Sequence, residues 1–177
     1  MNYQIKTTNS ESFPILRMLA KANEPQQFYL GLDAELHGCA VSISLNGQTP
    51  DYQGKRTRQD IVEAVRTLTE LGHSVATCQE ACGFGYEFHR QLQAAGAQSI
   101  VVAPEPLNGK RKTDKADSRK LTIDLFTYLG LGNQKVLRPI RAPSLGEEQT
   151  RALHRERHQL VSLRNQIVGQ GRSLAVQ

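Results

Sequence analysis

The sequence predicts an α/β domain with a mixed sheet, followed by one long basic helix. Three observations carry this. Two β-type runs come first, QFYLGLDAE and HGCAVSISLNGQ, with no helical pattern between them. After residue 56, segments with apolar residues at helical spacing alternate with short apolar runs, the signature of helices crossing over between strands. From residue 144 onward no strand-like run recurs, and apolar residues return every seven positions.

Residues 1–26 are a mixed extension in which FPILRMLAK suits a short amphipathic helix. The first two strands follow, with an Asn46-Gly47 turn signal closing the second and a possible third strand around Asp51 to Lys55. Thr57 or Arg58 opens a helix with Ile61, Val62, Val65, Leu68 and Leu71 at helical spacing, and Gly72 closes it. HSVATCQEACG is a buried strand ending near Glu80, FGYEFHRQLQAAG a helix with Phe84, Phe88 and Leu92, and QSIVVAPEP a strand stopped by prolines. A basic loop, 108 to 113, leads into a helix from about Asp114 to Gly130. Three strands followed by helix, strand, helix, strand, helix is the order of ribonuclease H-like folds, so residues 27–132 are expected to form such a domain.

Residues 133–143, broken by Pro139 and Pro143, read as a linker, and Ser144-x-x-Glu147 as a capping box that starts the last helix, 144–177. Leu153, Leu160, Ile167 and Leu174 form a seven-residue stripe with Leu163 beside it, while Glu156 and Gln170 interrupt the companion positions. Two packings fit: a coiled coil with another copy, and an amphipathic helix laid on the domain's own body. The pattern runs to the last residue, so the helix is expected to lead into a further domain.

Composition narrows the function classes. The chain has 177 residues, 22 Lys+Arg against 17 Asp+Glu, and a net charge of +5, which favours an acidic partner. Three cysteines, 39, 78 and 82, without a secretory signal indicate reduced thiols and a cytoplasmic setting; as small buried hydrophobes they need no metal. No apolar run approaches a membrane span. His37, His73 and His89 lack ligand spacing, and His154 with His158 lacks further ligands for zinc.

The chemistry lies in the acids. Asp114 and Asp117 are three apart at a helix start, within the basic run GKRKTDKADSRKL, so both can face one small volume. Asp33 is at the end of the first strand and Glu80 at the end of the strand after the first helix; carboxyl ends of neighbouring strands converge on one crevice. Four such carboxylates suit a pair of Mg²⁺ ions about 3.5–4 Å apart, with Mn²⁺ as a substitute. Each acid also has a structural reading: Asp33 as a turn cap, Asp114 as a helix N-cap, Asp117 as a dipole-compensating acid. A buried Glu80 without a partner is costly, which favours the metal reading. Glu35, two residues from Asp33, ranks below it. Lys110, Arg111, Lys112, Lys115, Arg119 and Lys120 are placed to contact a phosphate backbone.

YLGLDAELHGCAVSI, CQEACGFGYEFHRQLQAAG and VVAPEPLNGKRKTDKADSRKL together resemble the N-terminal domain of the DEDD transposases of insertion sequences, the group with Piv-type invertases and bridge-RNA-guided recombinases. The resemblance covers about residues 28 to 130. It implies that Asp33, Glu80, Asp114 and Asp117 hold the metal, that DNA is the substrate, that a noncoding guide RNA is a partner, and that the protein works as a dimer or tetramer. Ser118 stands where the family commonly has Ala. The family's second domain supplies a serine nucleophile; no serine of this sequence is given that role, so the chain is expected to hold part of a recombinase. Two other functions fit the same residues: a Holliday-junction-resolvase-like nuclease, and a non-catalytic nucleic-acid-binding and dimerisation fragment.

Overall fold

The structure, a computed structural model, describes residues 24–83, 85–104 and 113–175. The chain divides into two compact units between Arg141 and Ala142. The helix expected near residues 13–21 and the basic loop with Lys110, Arg111 and Lys112 lie outside the described residues.

The first unit runs β1 (Gln27–Glu35), β2 (Gly38–Leu45), β3 (Asp51–Arg56), α1 (Arg58–Glu70), β4 (Ser74–Glu80), α2 (Glu87–Ala94), β5 (Gln98–Val102) and α3 (Asp114–Leu129). The sheet order is β3-β2-β1-β4-β5. Strands joined by tight turns pair antiparallel, and those joined through helices pair parallel, as connection length requires. Asn46 and Gly47 both take positive φ, 50° and 78°, which the turn after β2 needs.

Local signals set the helix ends. Thr57 caps α1 by accepting from the Asp60 amide at 3.1 Å, and Gly72 leaves it at φ 85°. α2 starts at Glu87, later than the expected Phe84, because Gly85 at φ 79° cannot continue a helix backwards.

Strand alternation splits the core in two. Phe28, Leu30 and Leu32 of β1 join Val41 and Ile43 of β2 under α1 and α2, with Ile61, Val65, Leu68 and Leu92 as knobs. The intervening residues face α3, where Tyr29, Ala76, Cys78, Leu121 and Leu125 make a smaller cluster. Cys39 and Cys78 are buried and reduced, whereas Cys82 is only partly buried. His73 and His89 are structural: the Gln26 amide donates to His73 Nδ1 at 3.1 Å, and His89 Nδ1 lies 2.8 Å from Ser99 Oγ.

Part of the expected linker belongs to the sheet. Leu137 is buried in the α3-side cluster, Pro139 bridges Val102, and the Ile140 amide donates to the Val101 carbonyl at 2.9 Å. The second unit is the helix α4 (Leu145–Ala175). Its capping box forms as expected: the Ser144 amide donates to Glu147 Oε2 at 2.7 Å, and the Glu147 amide to Ser144 Oγ at 3.3 Å. Leu153, Leu160, Ile167 and Leu174 are exposed along it. None of the described helices is long and apolar enough to cross a membrane.

Candidate metal centre

Two strands and one helix terminus build the centre. On β1, Asp33 and Glu35 follow Tyr29 and Gly31 on the face that α3 covers. β1 and β4 are parallel with Leu32 opposite Gln79, so Asp33 and Glu80 are each the next residue, on adjacent strands and the same face. Both are partly buried.

The start of α3 decides how its acids are used. Thr113, not Asp114, is the N-cap: its hydroxyl accepts from the Ala116 amide at 3.3 Å. The Asp114 carboxylate is therefore left for other partners, and Asp117 stays in the first turn, where the helix dipole favours negative charge. A buried polar seam holds this terminus against the sheet. The Gly31 amide donates to Thr122 Oγ1 at 3.0 Å, Thr122 Oγ1 donates to the Ser42 carbonyl at 3.0 Å, and the Ser42 and Ser118 hydroxyls lie 2.9 Å apart. Ser118, the departure from the resembled family's Ala, thus has a buried partner for its hydroxyl. Gly31 is obligatory, because a Cβ there would collide with the Ser118 carbonyl and the Thr122 amide of α3.

Asp33, Glu35 and Asp114 each place a carboxylate oxygen within 4.8 Å of the others. Lys55 of β3 lies across two of them, its Nζ 2.8 Å from Glu35 and 2.8 Å from Asp114. The register explains how it gets there: Asp33 pairs with Ala40, and Ala40 with Lys55, one line across three strands. Burial pushes the Asp33 carboxyl up to about 6, and the charges of Asp117, Asp114, Glu35 and Glu80 push in the same direction. Asp33 thus feels all three of its expected partners as well as Glu35. Asp114 is held below the usual carboxylate range, chiefly by the hydrogen bond from Lys55, and Lys55 is raised by its two carboxylates.

Glu35 lies in the same carboxylate group as Asp33 and Asp114. An offset of two along a strand keeps a residue on the same face, so the spacing that seemed to set Glu35 apart is what brings it alongside. Lys55 carries no signal of its own in the sequence, and only the strand pairing reveals it. Among the cations expected at a phosphate backbone, Lys115 lies 5.9 Å from the Tyr52 ring centroid, Arg119 donates to the Pro50 carbonyl at 3.1 Å, and Lys120 pairs with Asp124 at 3.3 Å.

The residues fit a hard divalent cation. All donors are carboxylate oxygens, the donor type Mg²⁺ and Mn²⁺ favour. Their mutual repulsion is what a cation relieves, and the cluster already draws an ammonium from its own chain.

Sheet order, a second strand antiparallel to the rest, and helices on both faces define an α/β domain of the ribonuclease H-like class, with carboxylates at the end of its first strand and the start of its last packed helix. No family model matches the chain. Over 91 residues it is 40% identical to "Putative transposase y4rJ" of Sinorhizobium fredii (strain NBRC 101917 / NGR234), a stretch that takes in 49% of this chain and 23% of that protein. The chain thus spans under a quarter of the length of this relative.

Proposed function

We propose that this chain is the catalytic domain of a DNA transposase of the DEDD type, acting on DNA phosphodiesters with divalent-metal assistance in the cytoplasm. The observation that carries it is the meeting of carboxylates at the end of β1 and the start of α3, where oxygens of Asp33, Glu35 and Asp114 lie within 4.8 Å of one another; burial, and then the charges of Asp117, Asp114, Glu35 and Glu80, raise the Asp33 carboxyl. The likeness to a protein named as a transposase supports the same reading.

In this reading Asp33, Glu80, Asp114 and Asp117 hold Mg²⁺, or Mn²⁺ in its place, and Glu35 joins them from the strand beside Asp33. A bound cation would offset charge on the phosphate in the transition state and favour ionisation of the attacking oxygen. The chain's own residues supply the rest. The α3 terminus presents Asp114 and Asp117 where the helix dipole favours negative charge. The seam of Gly31, Ser42, Ser118 and Thr122 fixes their height above the sheet, and Lys55 holds Glu35 and Asp114 in place until a cation competes for them. Lys110, Arg111, Lys112, Lys115, Arg119 and Lys120 contact the phosphate backbone, and a noncoding RNA supplies sequence information by base pairing. The exposed stripe of α4 serves a homo-oligomer, dimer or tetramer.

The test is strand cleavage by the full-length protein in Mg²⁺. Asp33→Asn, Glu80→Gln and Asp114→Asn should each reduce it by about a hundredfold or more. Unchanged activity in all three would sink the assignment, and purification of the active protein free of RNA would remove the guide.

A further inference from the structure

Asp33 and Glu35 of β1 and Glu80 of β4 lie on the α3 face of the sheet. The residues between them face the other side of the sheet, and a separate cavity lies there. It has a volume of about 170 Å³ and is lined by Ala34, Arg58, Gln79, Cys82, Phe88 and Gln91. Ala34 sits between Asp33 and Glu35, and Gln79 precedes Glu80, so cavity and metal centre share the same strand ends.

Gln79 is 3% exposed, yet its side-chain Oε1 has no hydrogen-bond partner among the described residues. A buried amide oxygen without a donor destabilises the fold, and an apolar side chain of similar size would remove that cost. A polar group kept in such a place marks a site for something else to donate to it. The surrounding residues indicate the donor's chemistry. Phe88 offers an aromatic ring, with the Arg58 guanidinium 6.0 Å from its centroid, and Arg58 also donates to the Glu35 carbonyl at 2.7 Å. Glu87, which also lines the cavity, disfavours a phosphate. A flat, neutral ring with an N–H edge fits every one of these features, and the volume suits a single heterocycle better than a whole nucleotide.

We propose that this cavity receives one unpaired nucleobase of the strand engaged at the carboxylate centre, with Gln79 accepting from its N–H edge. The proposal rests on reading that centre as acting on nucleic acid. The placement of the two sites allows it, because a backbone crossing the carboxyl ends of β1 and β4 puts its phosphate on one face of the sheet and can turn a neighbouring base to the other.

The experiment uses the full-length protein, without divalent cation, and single-stranded DNA and RNA oligonucleotides carrying 2-aminopurine at successive positions. One position should brighten on binding as its base leaves the stack. Gln79→Leu should abolish that rise and weaken binding by about tenfold, the scale of one base contact, while raising the melting temperature. Cys82→Leu, which fills the cavity from a partly exposed position, should give the same loss. A signal with DNA alone or with RNA alone supports the cavity and names the strand that supplies the base. No responsive position, or an unchanged signal in Cys82→Leu, overturns it. Asp33→Asn separates the two readings: it should keep the fluorescence signal and lose cleavage. Cleavage without any signal removes the cavity and leaves the metal centre standing; a signal with cleavage indifferent to Asp33 does the reverse.

Discussion

On the α1 and α2 side of the sheet, Phe28, Leu30, Leu32, Val41 and Ile43 meet Ile61, Val65, Leu68 and Leu92 in an apolar layer. On the α3 side the same strands present Gly31, Asp33, Ser42 and Ser44, and the helix answers with Ser118 and Thr122. The first face gains stability from area removed from water, about 1.5–3 kcal/mol for each large side chain. The second gives up much of that area for hydrogen bonds of about 1 kcal/mol each. In return it gains position, since a helix seated backbone-close on Gly31 holds its first-turn acids at a set height over Asp33. The α1 and α2 side carries most of the apolar core, and the α3 side carries the carboxylates.

Substitutions can break that contrast, beginning with the largest effect. Gly31→Val should cost about 4 kcal/mol or more in denaturant unfolding, because the collision is with α3 backbone that cannot yield. Leu92→Ala, on the apolar face, should cost about 3 kcal/mol while leaving the affinity for Mn²⁺ unchanged in a calorimetric titration. If it weakened Mn²⁺ binding as much as Gly31→Val did, the division of labour between the faces would be wrong.

Ser118→Ala tests the seam more finely. It leaves the Ser42 hydroxyl without its 2.9 Å partner and should cost about 1 kcal/mol by chemical denaturation. Asp33→Asn should act in the opposite direction. The Asp33 carboxyl is raised to about 6 in the fold from 3.8, so the folded state binds the extra proton between these values. Its favourable contribution is complete below pH 3.8 and is lost as pH rises through about 6. The asparagine variant should therefore exceed the wild type by about 1 kcal/mol at pH 7, after allowance for partial exposure, and the gain should vanish near pH 4. Adding Mn²⁺ at pH 7 should reverse the ranking, because the ion stabilises only the protein that binds it. Lys55→Gln has the smallest expected effect on stability, and should tighten Mn²⁺ binding by removing the ammonium that competes for Glu35 and Asp114.

Much of this arrangement can be read from residue order. Helical and alternating periodicities, Gly72 and the prolines mark the elements, and KTDKAD announces two acids on one turn. Placing Glu35 on the same face as Asp33 takes only the rule that residues two apart along a strand share a face. Lys55 is different in kind. Its place follows from the pairings Asp33–Ala40 and Ala40–Lys55, which join residues far apart in the chain. The seam is equally hidden, since Gly31, Ser42, Ser118 and Thr122 look like ordinary small residues until α3 is laid across them. Thr113 and Asp114 both suit a helix cap, and only the geometry assigns that role to Thr113.

The short pairing of Pro139 with Val102 has a consequence for how the protein meets copies of itself. β5 would otherwise offer a row of open backbone groups, an invitation to add a foreign strand. The Ile140 amide and the Arg138 carbonyl occupy that row, and proline has no N–H to pass the ladder outward. At the opposite edge, β3 carries Lys55 and Arg56 and a register shift against β2 between Val41 and Ser42, features that discourage edge-to-edge stacking. The sheet is thus covered at its β5 margin and guarded by charge and an irregular register at its β3 margin.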